Sequence, residues 1–230
     1  MAELSLCIEE GAAGLGVFTY YGFAWADNPP AGYPGRLEEL AASVVERVRR
    51  RYPDPSALTR SPIVQAYRRF YWRIGIDPTK TRPSGEALAR RIIRRGALPR
   101  ISPIVDAGNI VSAETLVPIG IYDIDHADPP FRIRLSRGGE VFHPIGGRER
   151  VLGAGVPILV DSAGRVMHIY PYRDSVETMV RPSTRRVMVV AAGVPGVPEE
   201  LVREAASRVL RILVEVLGFQ ATQARRAPGC

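Results

Sequence analysis

Between residues 101 and 192 the chain breaks into short apolar runs, "GIYDI", "FRIRL", "GVPILVD", "RVMHIYPY" and "RRVMVVAAG", separated by Gly, Pro and Asp. Runs of this length, rich in Val, Ile, Tyr and Phe and bounded by turn residues, read as strands rather than helices. The whole 101–192 region is therefore expected to form a sheet or barrel of short strands. Further strands are expected at 3–8 and 14–20 around a glycine turn, and "DNPPAGYPG", 27–35, reads as a loop. Helical spacing governs the flanks. "RLEELAASVVERVRRRY" (36–52) places Leu37, Leu40, Val44 and Val48 on one face. "SPIVQAYRRFYWRIG" (61–75) has Ser as cap, Pro in the first turn and Gly at the end. "PEELVREAASRVLRILVEVLG" (198–218) starts on Pro and acids and stops on Gly. The fold class that follows is α+β, a mixed or antiparallel, barrel-like β core flanked by amphipathic helices, with residues 221–230 frayed.

Composition excludes several classes. Apolar residues make up 46% of the 230, a globular fraction. No apolar run approaches the roughly 20 residues that cross a bilayer. The start "MAELSLCIEE" is acidic and lacks the positive end of a secretory signal. Cys7 and Cys230 are the only cysteines, and the second is the last residue, a poor place for a structural bridge. A reduced, cytoplasmic chain is the expectation. His126, His143 and His168 are too dispersed for a metal motif, and each reads as a surface or half-buried histidine. "GAAGLG" (11–16) lacks the Lys-Ser/Thr of a phosphate loop, and no Gly-x-Ser-x-Gly elbow is present. No cofactor is implied.

The charge is unevenly spread. Thirty of the 31 basic residues are arginine, so arginine abundance alone says little. Residues 60–100, however, carry eleven basic side chains against Asp77 and Glu86, a net +9, leaving −2 for the other 189 residues. Such a footprint suits a polyanion. Within it, Gly75, Pro78 and Pro83 stiffen a turn bearing Lys80 and Arg82, and Thr81 or Ser84 can cap the helix that follows. On a helical wheel Arg90, Arg91, Arg94 and Arg95 share one side, opposite Leu88, Ala89, Ile92 and Ile93. Two readings stand: the arginines answer phosphate oxygens, or carboxylates elsewhere in the fold answer the arginines. Arg69, Arg73, Lys80, Arg82, Arg90, Arg91, Arg94 and Arg95 are the side chains expected to meet RNA, and Tyr67 or Trp72 could stack an unpaired base.

A resemblance joins these features. "YWRIGIDPTKTRPSGEALARRI", "VDAGNIVSAETLVPIGIYD", "GGEVFHPIGG" and "VRPSTRRVMVVAAG" occur in order. Together they resemble the free-standing B3/B4-type proteins, relatives of the B3/B4 domain of the phenylalanyl-tRNA synthetase β subunit. The similarity covers roughly residues 60–195. It implies a B3/B4-like domain over 60–220, preceded by N-terminal strands and a helix (1–59) packed on it. In the synthetase this domain hydrolyses tyrosine wrongly attached to the phenylalanine tRNA. The resemblance therefore implies tRNA or aminoacyl-tRNA as partner, a synthetase as a possible second one, and ester hydrolysis as a possible activity.

The departures from the synthetase are specific. A pocket histidine is replaced by Gly120, and a selecting glutamate by the pair Arg173 and Asp174 of "YPYRDSVET". The candidate pocket comprises Asn109, Ser112, Gly120, Tyr122, Asp123, Arg173, Asp174, Thr178 and Thr184. Hydrolysis of an already activated ester needs little more than a positioned water and donors for the oxyanion. Asn109, Ser112, Thr184 and the amides of "GNIVS" could donate, and Asp123 or Asp174 could orient the water. Equally, Arg173–Asp174 could be a turn with its own charge pair, and Asn109 the cap of a buried loop. Three functions remain open: a trans-acting deacylase of mischarged tRNA, a non-catalytic RNA-binding module, and an amino-acid binder. The chain lacks room for a synthetase catalytic domain.

Overall fold

The computed structural model describes residues 4–30 and 32–230. Residue 3 of the expected first strand and residue 31 of the expected loop lie outside the described residues. The chain begins with β1 (Leu6–Ile8), α1 (Glu10–Ala13) and β2 (Phe18–Trp25). Four helices come next, α2 (Gly35–Arg51), α3 (Pro55–Thr59), α4 (Pro62–Arg73) and α5 (Ser84–Arg95), and then α6 (Pro103–Thr115). Strands β3 (Ile119–Asp123), β4 (Phe131–Arg137), β5 (Val141–Phe142), β6 (Arg150–Val151), β7 (Ala154–Val160), β8 (Val166–Ile169), β9 (Arg173–Asp174) and β10 (Arg186–Gly193) follow. The chain closes with α7 (Glu199–Glu215), β11 (Gln220–Ala221) and β12 (Arg225–Arg226).

The β core is two facing sheets, mixed in sense, as an α+β fold requires. One has the order β1-β4-β7-β8-β9, with β1 parallel to β4 and the remaining pairs antiparallel. The other has the order β11-β2-β10-β3, with β12 beside β2. Both orders are open at their ends, so the expected barrel likeness goes no further than two layers packed face to face. The layers meet at Phe23 and Phe131, whose rings lie 6.3 Å apart, and at Tyr21, whose hydroxyl accepts from the Leu6 amide at 3.3 Å. β10 is central in its sheet and apolar on both faces. The outer side of this sheet is covered by α7, over β2 and β10, and by α6, over β3, and α2 and α5 pack on α6. The larger helices thus cover one sheet, while the short α1 packs on β4 of the other.

Four expectations are corrected. Residues 103–115 form a helix, not the first strands of the sheet. Nine of its thirteen residues are buried, because β3 and α7 cover one side and α2 and α5 another. Buried nearly all round, it carries no amphipathic stripe to betray it. The tail is not frayed. β12 pairs with β2, Ala227 is buried, and the Ile8 amide donates to Pro228 O at 2.8 Å. Nor are the cysteines free: Cys7 and Cys230 form a disulfide, because β1 and the last residues run side by side. The inference of a reduced chain from its cysteines therefore fails. Finally, neither Thr81 nor Ser84 caps α5; its N-cap is Pro83, without a side-chain bond.

Candidate active site

Where the β8–β9 end of one sheet meets the β3–β10 end of the other, two adjoining hollows lie. The inner one is a cavity of about 40 Å³, lined among others by Ser84, Gly120, Tyr122, His168, Tyr172 and Asp174. The antiparallel register sets His168 opposite Asp174, and His168 Nδ1 lies 2.8 Å from Asp174 Oδ1. An ionised carboxylate can only accept, so this contact fixes the tautomer and leaves Nε2 as the basic nitrogen. The imidazole is wedged between aromatic rings, 5.9 Å from Tyr122 and 6.0 Å from Tyr170. Tyr170 is itself held by hydrogen bonds to Phe18 O at 2.7 Å and Gly193 O at 3.0 Å.

Strand alternation puts Gly120 and Tyr122 on the same face of β3, and they share one volume. A Cβ on residue 120 would lie 2.0 Å from the Tyr122 hydroxyl oxygen. The Tyr122 ring therefore fills the space that any side chain at 120 would occupy. Its hydroxyl is buried and, among the described residues, makes no well-formed hydrogen bond, with Asp174 the carboxylate within reach. Burial above all, with Asp174 and Tyr170 nearby, holds this phenol well above its ordinary pKa.

The outer hollow is an open groove of about 410 Å³, lined by Lys80, Thr81, Arg82, Ile145, Tyr172, Arg173 and Asp174. Tyr172 and Asp174 belong to both hollows. The Lys80–Arg82 turn is shaped by Asp77, whose Oδ1 accepts from the Thr79 amide at 2.8 Å and hydroxyl at 2.6 Å. Across the groove Arg173 lies over the Tyr172 ring at 5.3 Å and donates to Ile145 O at 3.1 Å. Burial resists ionisation of Tyr172, but Arg173, Thr81 and Arg150 together bring its phenol below the ordinary value. The groove is thus a cationic trough with an aromatic floor. α5 begins at its edge, so the unpaired first-turn amides of a twelve-residue helix stand beside the cavity at Ser84.

The expected face of four arginines on α5 is divided. Glu86, with no exposed side-chain surface, accepts from Arg68 Nε at 2.8 Å and from Arg90 Nε at 2.8 Å. Arg90 also donates to Thr59 Oγ1 at 2.6 Å, so it is taken up internally. Arg91 is half-buried, with a buried Nε lacking a partner. Arg94, Arg95, Lys80 and Arg82 remain exposed, as do Arg69, Arg73 and Trp72 on α4. Tyr67 is buried and donates to Ala192 O at 2.6 Å, so it is not placed to stack a base.

Of the candidate pocket residues, the structure brings together Gly120, Tyr122, Arg173 and Asp174. Arg173 and Asp174 do not pair with each other: one serves Tyr172 and Ile145, the other His168. Asp123, Thr184 and Thr178 form a separate network. Thr184 Oγ1 donates to the buried Asp123 at 2.7 Å, and the Asp123 amide donates to Thr178 O at 2.9 Å. Asn109 and Ser112 lie on α6. Asn109 Nδ2 donates to Asp106 at 3.2 Å beside a different hollow of about 490 Å³ between α2 and α6, while Ser112 caps Val117 O at 2.7 Å. Sequence reading missed His168. The available signal was the spacing His168-x₅-Asp174 across "YPY", two strand residues facing each other around a Pro turn.

Residues 66–218 match the B3/4 domain family, well over half of the chain. The chain belongs to that family. The B3/4 domain shown here is similar to the phenylalanine–tRNA ligase β subunit of Xanthomonas campestris pv. campestris strain 8004. The two are 32% identical over 118 residues, 51% of this chain and 14% of that one. The β subunit of Xanthomonas axonopodis pv. citri strain 306 is 31% identical over the same length. This chain thus covers only 14% of these relatives' length. In fold, this B3/4 domain resembles an N-terminal fragment of the phenylalanyl-tRNA synthetase β subunit from Pyrococcus horikoshii. The TM-score is 0.52 at 15% identity, covering 99% of this chain and 56% of that one.

Proposed function

We propose that this B3/4 domain binds the aminoacylated 3′ end of tRNA and hydrolyses the ester. One observation carries the reading: the Asp174–His168 pair lines a small cavity that shares Tyr172 and Asp174 with the Lys80–Arg82–Arg173 groove beside it. Phosphates of the terminal nucleotides lie along the cationic trough, a terminal base rests on Tyr172, and the aminoacyl group enters the cavity. His168 Nε2 takes a proton from water as the water oxygen bonds to the ester carbonyl carbon. The first-turn amides of α5 meet the oxyanion. When the carbon–oxygen bond to ribose breaks, the imidazolium returns the proton to the departing ribose oxygen. Asp174 holds the imidazole in its tautomer and steadies the imidazolium. The exposed Arg69, Arg73, Arg94 and Arg95 extend the positive surface towards the body of the RNA. A cytoplasmic place follows from the partner, not from the cysteines.

The test is release of amino acid from a panel of charged tRNAs. Replacing Asp174 with Asn, or His168 with Gln, is expected to slow turnover by about 100-fold or more while tRNA affinity stays within a few-fold. Binding without turnover in the native protein would make it a non-catalytic RNA module. Binding of amino acid alone, indifferent to salt, would make it a small-molecule binder.

A further inference from the structure

The geometry points to a size filter: Tyr122, standing in the space above Gly120, restricts the inner cavity to an α-amino acid with no side chain or a methyl group. The inference rests on the aminoacyl-end reading and names its substrate class. The cavity holds about 40 Å³, room for roughly three waters at the ~10–15 Å³ each needs by this measure. A methyl or ammonium group fits there; a phenyl ring, several times larger, does not. Residue 120 cannot supply the restriction, because a Cβ there would strike the Tyr122 hydroxyl at 2.0 Å. Tyr122 is also fixed from behind, since β3 is paired to β10 and His168 packs edge-on against the ring.

The cavity is also built to meet a polar group. The Tyr122 hydroxyl is buried, makes no well-formed hydrogen bond among the described residues, and lies within reach of the Asp174 carboxylate that borders both hollows. An orphan of this kind is unfavourable unless a ligand atom answers it. An α-amino group suits the pair: the ammonium donates to Asp174, and the phenol turns its proton towards the ester carbonyl or a water. Gly and Ala esters present that group with little else. Larger aminoacyl groups must leave the ammonium outside the cavity and lose both contacts.

The experiment uses amide-linked 3′-aminoacylamino-3′-deoxyadenosines carrying glycyl, alanyl, phenylalanyl or tyrosyl groups, with affinity read by calorimetry. The native protein is expected to bind the glycyl and alanyl compounds about 100-fold more tightly than the aromatic pair. Tyr122→Leu, which opens the space over Gly120, should bring that ratio below about 10-fold. Tyr122→Phe, the milder change should the first fail to fold, should weaken the glycyl and alanyl compounds without restoring the aromatic ones. Equal or tighter binding of the aromatic compounds overturns the filter. So does an unchanged ratio in the folded variants, or no binding by any compound at about 1 mM. The amides cannot be hydrolysed, so absence of turnover in the deacylation panel with this ranking intact removes the hydrolase reading and leaves the filter. Free glycine and alanine binding as tightly as their adenosine conjugates would support the filter and remove the tRNA-end reading.

Discussion

Glu86 shows how one side chain sets what the basic segment can do. It is fully buried between Arg68 and Arg90, whose side chains are 17% and 16% exposed. Burial opposes its ionisation, but both guanidinium groups together hold its pKa below the ordinary value. Replacing it with Ala leaves two mostly buried cations unanswered and should destabilise the fold by about 3–5 kcal/mol in denaturant titration. The pH dependence has a definite sign. A depressed folded-state pKa contributes stability above the ordinary carboxylate range and loses it as pH falls through the folded value. Glu86→Gln should therefore flatten the acid limb of stability against pH relative to the native protein. Gly85 makes a comparable point, because a Cβ there would lie 2.5 Å from Leu116 O. Gly85→Ala should push α5 off the end of α6, displace Ser84 from the cavity and lower turnover, with a drop in Tm as its structural counterpart.

At the level of elements, legibility followed amphipathicity. α2, α4, α5 and α7 each have one buried stripe; α2, α5 and α7 were readable from their apolar spacing, and α4 from its Ser, Pro and Gly end signals. α6 was not, although "SPIV" opens both it and α4. In α6 the Ser102 side chain does accept from the Val105 amide at 3.3 Å, whereas Ser61 makes no such bond in α4. The cap signal was present and the period was absent, since covering by neighbours on both sides removes the polar stripe. The two site halves differed likewise. Lys80 and Arg82 were visible as charge in a stiff turn, and Arg173 and Asp174 through the family resemblance, while His168 depends on a cross-strand pairing that sequence spacing alone does not display. The tail was misread because pairing with β2 and the bridge to Cys7 are long-range. Cys230→Ser should cost about 2–4 kcal/mol and expose residues 220–230 to proteolysis, measured by thermal melting and limited digestion.

Across the whole molecule the charge is sorted by the fold. Carboxylates consume Arg68 and Arg90, while the turn at Lys80–Arg82 keeps its cations exposed beside the groove and the far end of α5 keeps Arg94 and Arg95 exposed away from it. If those exposed side chains meet phosphate, Lys80→Ala and Arg82→Ala should each lower the salt slope of tRNA binding by about 1. Arg90→Ala should instead leave the slope unchanged and weaken the fold. The central claim is that the groove receives the 3′ end of tRNA. The most direct measurement compares affinity for intact tRNA with that for tRNA lacking its terminal CCA, in the native protein and in the double variant Lys80→Ala/Arg82→Ala. The account predicts that trimming weakens native binding by about 10-fold or more and has little further effect in the variant, the non-additivity of two changes at one contact. Equal affinity for intact and trimmed tRNA, or fully additive losses, would contradict it.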